Sequence, residues 1–210
     1  MRKLPRSFQD ISYMVSKVGI SPIRGLLVWS FLAKKSSIPF LSKGVKLLVR
    51  KKIFFGKYVW IGQNSYIDAS CKKNVIFNNG VTIRENATIQ CRSGLNEIGE
   101  GLEIGKDTFI GPCSKIGVGG FINIGKNCQI GAHCTFNAES HELKDGSFTK
   151  GSVKRLGIDI GNNVWIGDGV TVLDGVSVGD DVAIGAGSVV NRDIPSGEVH
   201  AGVPAKKINK

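Results

Sequence analysis

The chain has 210 residues, among them 28 glycines but only 10 Phe, 3 Tyr and 3 Trp, which suits one domain, or a solenoid with an added segment, built around a narrow interior. Its net charge of +11 is uneven: residues 1–57 hold 13 of the 28 basic residues and one acid, Asp10. The basic charge is therefore that of an N-terminal arm on a near-neutral body, and with no nucleic-acid-binding motif beside it, nucleic acid is not an expected partner.

Residues 1–56 read as a basic, largely helical segment. Phe8, Ile11, Met14, Val15 and Val18 recur at helical spacing, and Gly19 provides a stop. Ser21-Pro22 reads as an N-cap followed by proline at the first helical position. A second helix would run from there through Leu26, Leu27, Trp29, Phe31 and Leu32 to Lys34-Lys35. An apolar-basic stretch, Val45 to Lys52, follows. Two compatible roles are open to this segment. It can cap the end of the body, or residues 1–50 can lie on an anionic membrane face. The N-terminus lacks the pattern of a cleaved signal, and the apolar run Gly25 to Ala33 is too short to span a bilayer.

A repeat begins near Val59 and defines a body over residues 57–210. Aliphatic residues recur loosely at Ile61, Ile67, Ile76, Ile83 and Ile89, then every sixth residue from Ile98 to Ile122. The phase slips by two at Phe121–Asn123, which predicts a corner bulge, and resumes at Ile124 and Ile130. The clearest run is Ile160, Ile166, Val172, Val178, Ile184 and Val190, with glycine next at Gly161, Gly167, Gly179 and Gly185. A small or β-branched residue follows four positions after each aliphatic. A period of six is neither helical nor that of a plain strand. It fits short strands that turn a corner and repeat, with glycine relieving the corner: a parallel β-helix. Helices between parallel strands would need a dozen residues that are not there.

Five cysteines, with no C-x-x-C and an odd total, argue against a disulfide framework. Cys128 and Cys134 fall at the small-residue position and read as buried hydrophobes. A reducing, cytoplasmic setting is the expectation.

The repeat stops between residues 137 and 157, a structureless stretch of the kind that more often carries function than idles. His141 stands at its start, between Glu139 and Glu142. Imidazole titrates near neutrality, so a histidine on such a loop is placed to act as a general base. His133, within a regular repeat, and His200, in the tail, read as solvent or subunit-contact residues. Three histidines so placed do not form a zinc site. Trp165 precedes the inward Ile166, so it faces outward and needs a ligand or another subunit against it.

These residues resemble the hexapeptide-repeat acyltransferases with a left-handed parallel β-helix, in particular the maltose and galactoside acetyltransferases and the bacterial polysaccharide O-acetyltransferases. The resemblance rests on Ser140-His141, Ile160 to Gly167 (IGNNVWIG), Ile184 to Val190 (IGAGSVV), Asp193-Ile-Pro195 and Ala201 to Lys206 (AGVPAK). It implies an all-β solenoid, a left-handed β-helix with a short helical N-terminal segment, assembled as a homotrimer with active sites between neighbouring copies. It implies His141 as the catalytic base and residues 137–157 as an extended active-site loop. Trp165, Asp168, Gly185, Ala186, Asn191, Arg192 and Lys206, the last within the tail 191–210, would contact acetyl-CoA, with Lys207 or Lys210 as a second basic residue. The acceptor would be a carbohydrate of a bacterial surface glycan, met in the cytoplasm or at the inner membrane face, and no metal is expected. No counterpart of the galactoside enzymes' acceptor-binding asparagine is found near residues 111–114, which argues against a simple galactoside or maltose acceptor.

Overall fold

The computed structural model describes residues 19–94, 97–148 and 151–208. The helix expected over Phe8–Val18 lies outside them, as does Lys210.

The body is a three-faced prism of stacked coils. The first face contains Phe40–Leu41, Trp60–Ile61, Thr82–Ile83, Phe109–Ile110, Gln129–Ile130, Trp165–Ile166, Ala183–Ile184 and Val199–Ala201 in parallel. Lys206–Lys207 then returns antiparallel on its edge. The second face runs from Lys46–Leu48 to Val189–Val190, and the third from Ile53–Phe55 to Ser177–Val178. Each coil visits the faces in that order, so strands that pair in parallel within a face come from successive coils and not from neighbouring positions in sequence. Parallel register is direct, as in Ile130 beside Ile166 beside Ile184.

The six-residue pattern maps onto this prism residue by residue. The aliphatics fill the interior: Ile160, Ile166, Val172 and Ile184 are fully buried. Left-handed backbone is needed three residues after each of Ile160, Ile166, Val172, Val178 and Ile184, and Asn163, Gly169, Gly175, Asp181 and Gly187 supply it, with φ of 55°, 70°, 82°, 59° and 69°. Asn, Asp and Gly are the residues that enter this region at least cost. The glycine directly after each aliphatic does a different job from the corner relief expected of it. A Cβ on Gly167 would lie 2.6 Å from the Ala186 nitrogen one coil along, and one on Gly125 would lie 2.3 Å from the Gly161 oxygen. These glycines let coils stack at backbone contact. Gly125→Val is therefore expected to destabilise the fold by about 1–3 kcal/mol, read as a lower midpoint in urea or thermal unfolding, because the clashing atoms are backbone and cannot swing aside.

The slip near Phe121 is not a bulge. The third face takes three-residue strands that each bury two side chains: Ile53 with Phe55, Val75 with Phe77, Leu102 with Ile104, Ile122 with Ile124, and Ile158 with Ile160. Its wider interior accommodates Phe55 and Phe77, stacked with centroids 5.2 Å apart.

The prism starts earlier than residue 57. Phe40–Leu41, Lys46–Leu48 and Ile53–Phe55 pair in parallel with Trp60–Ile61, Tyr66–Asp68 and Val75–Phe77 and form a complete first coil. The signal was present: Leu41, Leu47 and Ile53 are six apart and buried, with Gly44 left-handed at φ 77°. Only two periods and outward lysines made it resemble an amphipathic basic stretch. Ahead of it, helix α1, Ser21–Trp29, follows Ile20 as its N-cap residue, not Ser21, which is buried within the first turn. The capping role holds. Ala33 and Ser37 donate backbone N–H to the Ile53 and Phe55 carbonyls, covering the third face's open edge, while Leu32 plugs the interior.

Candidate functional site

Two insertions leave the prism at the same corner, between the second and third faces. One is the hairpin of Arg92–Gly94 and Glu97–Ile98; the other pairs Ser140–His141 antiparallel with Val153–Lys154. The segment 137–157 is thus not structureless: its two ends are zipped into a short ladder, which its lack of aliphatic period concealed. Glu142 reinforces the ladder through Lys154 at 2.6 Å and a hydrogen bond from the Ser152 hydroxyl. Those two partners hold the Glu142 carboxyl below its ordinary pKa, with Lys154 the larger cause.

The ladder presents His141, whose side chain is 56% exposed, with Nε2 3.7 Å from Glu139 Oε1. That separation exceeds a hydrogen bond, though catalytic pairs commonly tighten only when substrate binds. Glu139 itself is held. Arg155 Nε donates to its Oε2 at 2.9 Å, and the same guanidinium ion-pairs with Glu97 of the first hairpin. Partial burial works against the Arg155 charge, but the two carboxylates outweigh it and raise its pKa. Arg155 therefore ties the two hairpins together behind His141. Asp174 anchors the second hairpin's exit: it accepts N–H bonds from Gly157 at 2.9 Å and Leu156 at 3.2 Å, and the Ser140 hydroxyl at 3.4 Å. Between the hairpins lies a cleft of about 240 Å³, lined in part by Gln90, Asn137, Glu97 and Glu139.

The residues expected to meet acetyl-CoA fall into two groups. Trp165 lies on the first face between Gln129 and Ala183, 53% exposed, while Ile166 is buried, as strand alternation requires. Gly185 and Ala186 stand at the corner that follows on the next coil, exposed or half-buried, and Lys206 is exposed on the same face's edge. Asp168 is at that corner too, but its Oδ1 already accepts the Ala132 N–H at 2.8 Å. Asp180 and Asp193 make the same inter-coil bond to Asn162 and Ser177, so this carboxylate has a structural duty. Asn191 and Arg192, both exposed, directly follow the second-face strand Val189–Val190 and belong to the corner that carries His141. The corner between the second and third faces is opposite the first face. A single chain therefore holds His141, Asn191 and Arg192 on one side of the prism and Trp165, Ala186 and Lys206 on the other.

The remaining candidates resolve simply. His133 takes the left-handed turn position at φ 56° and faces solvent. His200 is buried rather than outward, with Nε2 2.8 Å from Glu198, and it is the main cause of that carboxyl's lowered pKa, ahead of Lys207. Cys128 and Cys134 are fully buried, and burial raises both thiols' pKa, which makes them poor nucleophiles. Among the described residues no three His, Cys, Asp or Glu side chains converge on a metal site. Arg155, Glu97 and Asp174 were missed in the sequence. Asp174 carried a signal: it repeats at six with Asp168 and Asp180, the position that bonds across coils.

Residues 157–192 match the family model of the bacterial transferase hexapeptide (six repeats). No curated protein is matched by the sequence. A maltose O-acetyltransferase from Clostridium difficile 630 aligns at 30% identity over 62% of this chain, with a TM-score of 0.53; the aligned part spans 66% of that enzyme, just under two thirds. A hexapeptide-repeat acetyltransferase from Vibrio cholerae aligns at 28% identity over 62% of this chain and 73% of its own, with a TM-score of 0.50. An N-acyltransferase from Bacillus cereus, solved with dTDP and coenzyme A, shares the fold at 19% identity over 85% of this chain and 82% of its own, with a TM-score of 0.56. The solenoid is the one the resemblance implied.

Proposed function

We propose that this chain, which carries the hexapeptide repeat of bacterial transferases on a left-handed parallel β-helix, moves an acetyl group from acetyl-CoA to a sugar hydroxyl. The observation that carries the reading is His141, an exposed imidazole 3.7 Å from Glu139 on a hairpin braced by Arg155 and Asp174. An alcohol attacks a thioester well only as its proton leaves. The imidazole nitrogen takes that proton while the new C–O bond forms, a contribution of about 10²–10⁴ in rate. As the C–S bond breaks, the imidazolium returns the proton to the departing thiolate. Backbone N–H groups are the simplest donors to the carbonyl oxygen as it gains charge. Glu139, held by Arg155 Nε at 2.9 Å, steadies the positive imidazolium.

The cleft lined by Glu139, the carboxylate next to His141, suits a carbohydrate acceptor. Gln90 and Asn137 offer amides, and Glu97 and Glu139 carboxylates, a lining matched to vicinal hydroxyls. A glycan of the bacterial cell surface, or its precursor, is the acceptor class we favour. Acetyl-CoA would lie along Trp165, Gly185 and Ala186, where small residues admit a narrow pantetheine arm, with Arg192 and Lys206 supplying charge for phosphates. Since these groups sit on opposite sides of one prism, the working unit is an assembly in which one copy supplies His141 and its neighbour supplies Trp165. A homotrimer closes three such sites.

Release of free CoA thiol, followed with a panel of glycans, tests the reading. The expected result is release that depends on an acceptor bearing free hydroxyls, with O-acetyl ester recovered in the product. Exclusive labelling of amines would move the activity to amino sugars; no acetyl-CoA binding at all would leave a β-helix scaffold and overturn it.

A further inference from the structure

We propose that the capped end of the prism, helix α1 with the outer edge of the first coil, docks on the surface of an anionic lipid bilayer. The proposal is independent of the acyl-transfer reading and stands or falls without it.

The helix is inverted relative to a soluble surface helix. Its inward face begins with small residues, the buried Ser21 and Gly25, where a Cβ on Gly25 would lie 1.8 Å from the Pro39 oxygen, and ends with Val28 half-buried against the core. Its outward face carries Ile23, Leu26 and Leu27, with Leu27 71% exposed. A helix that faces water normally turns its apolar stripe inward. At its last residue and just beyond, Trp29 and Phe31 are about half exposed, and Trp29 is fixed by donating its indole N–H to the Ser36 carbonyl at 2.7 Å. On the neighbouring edge, Leu48 and Val49 are exposed beside a shallow groove lined by Phe31, Leu47, Val49, Arg50 and Lys51. Contiguous exposed apolar surface of this kind marks an interaction site.

The charge around the patch selects the occupant. Arg50 and Lys51 line the groove, with the Arg50 guanidinium 5.9 Å from the centroid of the Phe31 ring. The segment from α1 through the first coil also carries Arg24, Lys34, Lys35, Lys43 and Lys46, and no acidic residue occurs in sequence between Asp10 and Asp68. An apolar centre with aromatic residues on a strongly cationic segment matches a bilayer whose headgroups are negative. No described helix is long and apolar enough to cross a membrane. Long lysine and arginine side chains can reach headgroups while their stems cover apolar area.

Flotation of the full chain with vesicles tests this. The chain is expected to float with vesicles of equal parts phosphatidylcholine and phosphatidylglycerol, to float at least about tenfold less with pure phosphatidylcholine, and to lose binding as salt rises. Leu27→Asp, at a position too exposed to disturb the core, is expected to weaken binding about tenfold or more. Lys34→Gln with Lys35→Gln is expected to weaken it roughly 25-fold, about fivefold per charge. Failure to float with anionic vesicles overturns the proposal, as does equal binding to neutral ones. So does a Leu27→Asp variant that floats like the parent, or one whose only change is a smaller assembly in light scattering, which would assign the face to a contact between copies.

Discussion

His141→Ala is expected to reduce acetyl transfer from acetyl-CoA by about 10²–10⁴, the usual worth of a general base, with the unfolding midpoint unchanged. The second half of that expectation comes from the structure. The His141 side chain is more than half exposed, on a ladder held by backbone pairing with Val153 and by bonds from Ser152 and Lys154 to Glu142. None of these uses the imidazole, so its loss removes chemistry and leaves the scaffold. A variant that transfers acetyl at the parental rate would remove His141 from the mechanism. A variant that falls apart would mean that the exposed ring supports the assembly instead. Glu139→Gln separates orientation from proton transfer. The amide keeps the shape but withdraws the charge that favours imidazolium, so a smaller loss than that of His141→Ala is expected.

The fold was legible because the six-residue pattern is enforced at every corner. Ile166 must be inward, Gly167 must admit the next coil's backbone, and Gly169 must take a left-handed turn; each demand leaves a residue type behind. Where the demand is made only twice, as at Leu41, Leu47 and Ile53, the same pattern was outweighed by the lysines on the outward positions. The site was legible in part for the opposite reason. His141 stood out because the repeat stopped around it. Arg155, Glu97 and Asp174 did not, because their roles depend on which coils lie side by side. Glu97 and Arg155 are 58 residues apart in sequence and meet only because both insertions leave the prism at the same corner. Sequence spacing carries no trace of that stacking. The placement of His141 and Trp165 on opposite sides of the prism was likewise not carried by the motifs, which are read along a line; only the resemblance implied sites between neighbouring copies.

That division leads to the second large effect. If one copy supplies His141 and its neighbour supplies Trp165 and Ala186, two inactive variants should restore each other. His141→Ala lacks the base; a variant carrying both Trp165→Ala and Ala186→Trp lacks the aromatic wall and has its cofactor channel filled. Ala186 is exposed, so the added indole obstructs the surface without entering the core. Unfolded and refolded together in equal amounts, the two are expected to recover about a quarter of wild-type activity, since random assembly gives each interface a one-half chance of an intact partner on each side. Sites contained within one chain would give no recovery, because neither polypeptide would hold a complete set of groups. The recovered fraction also reports the arrangement. A head-to-tail ring uses each copy once as base donor and once as cofactor wall, so activity should rise and fall with the product of the two fractions as the mixing ratio is varied. No recovery at any mixing ratio would instead indicate that the two sets of groups do not act across an interface, and the proposed trimeric site would have to be abandoned.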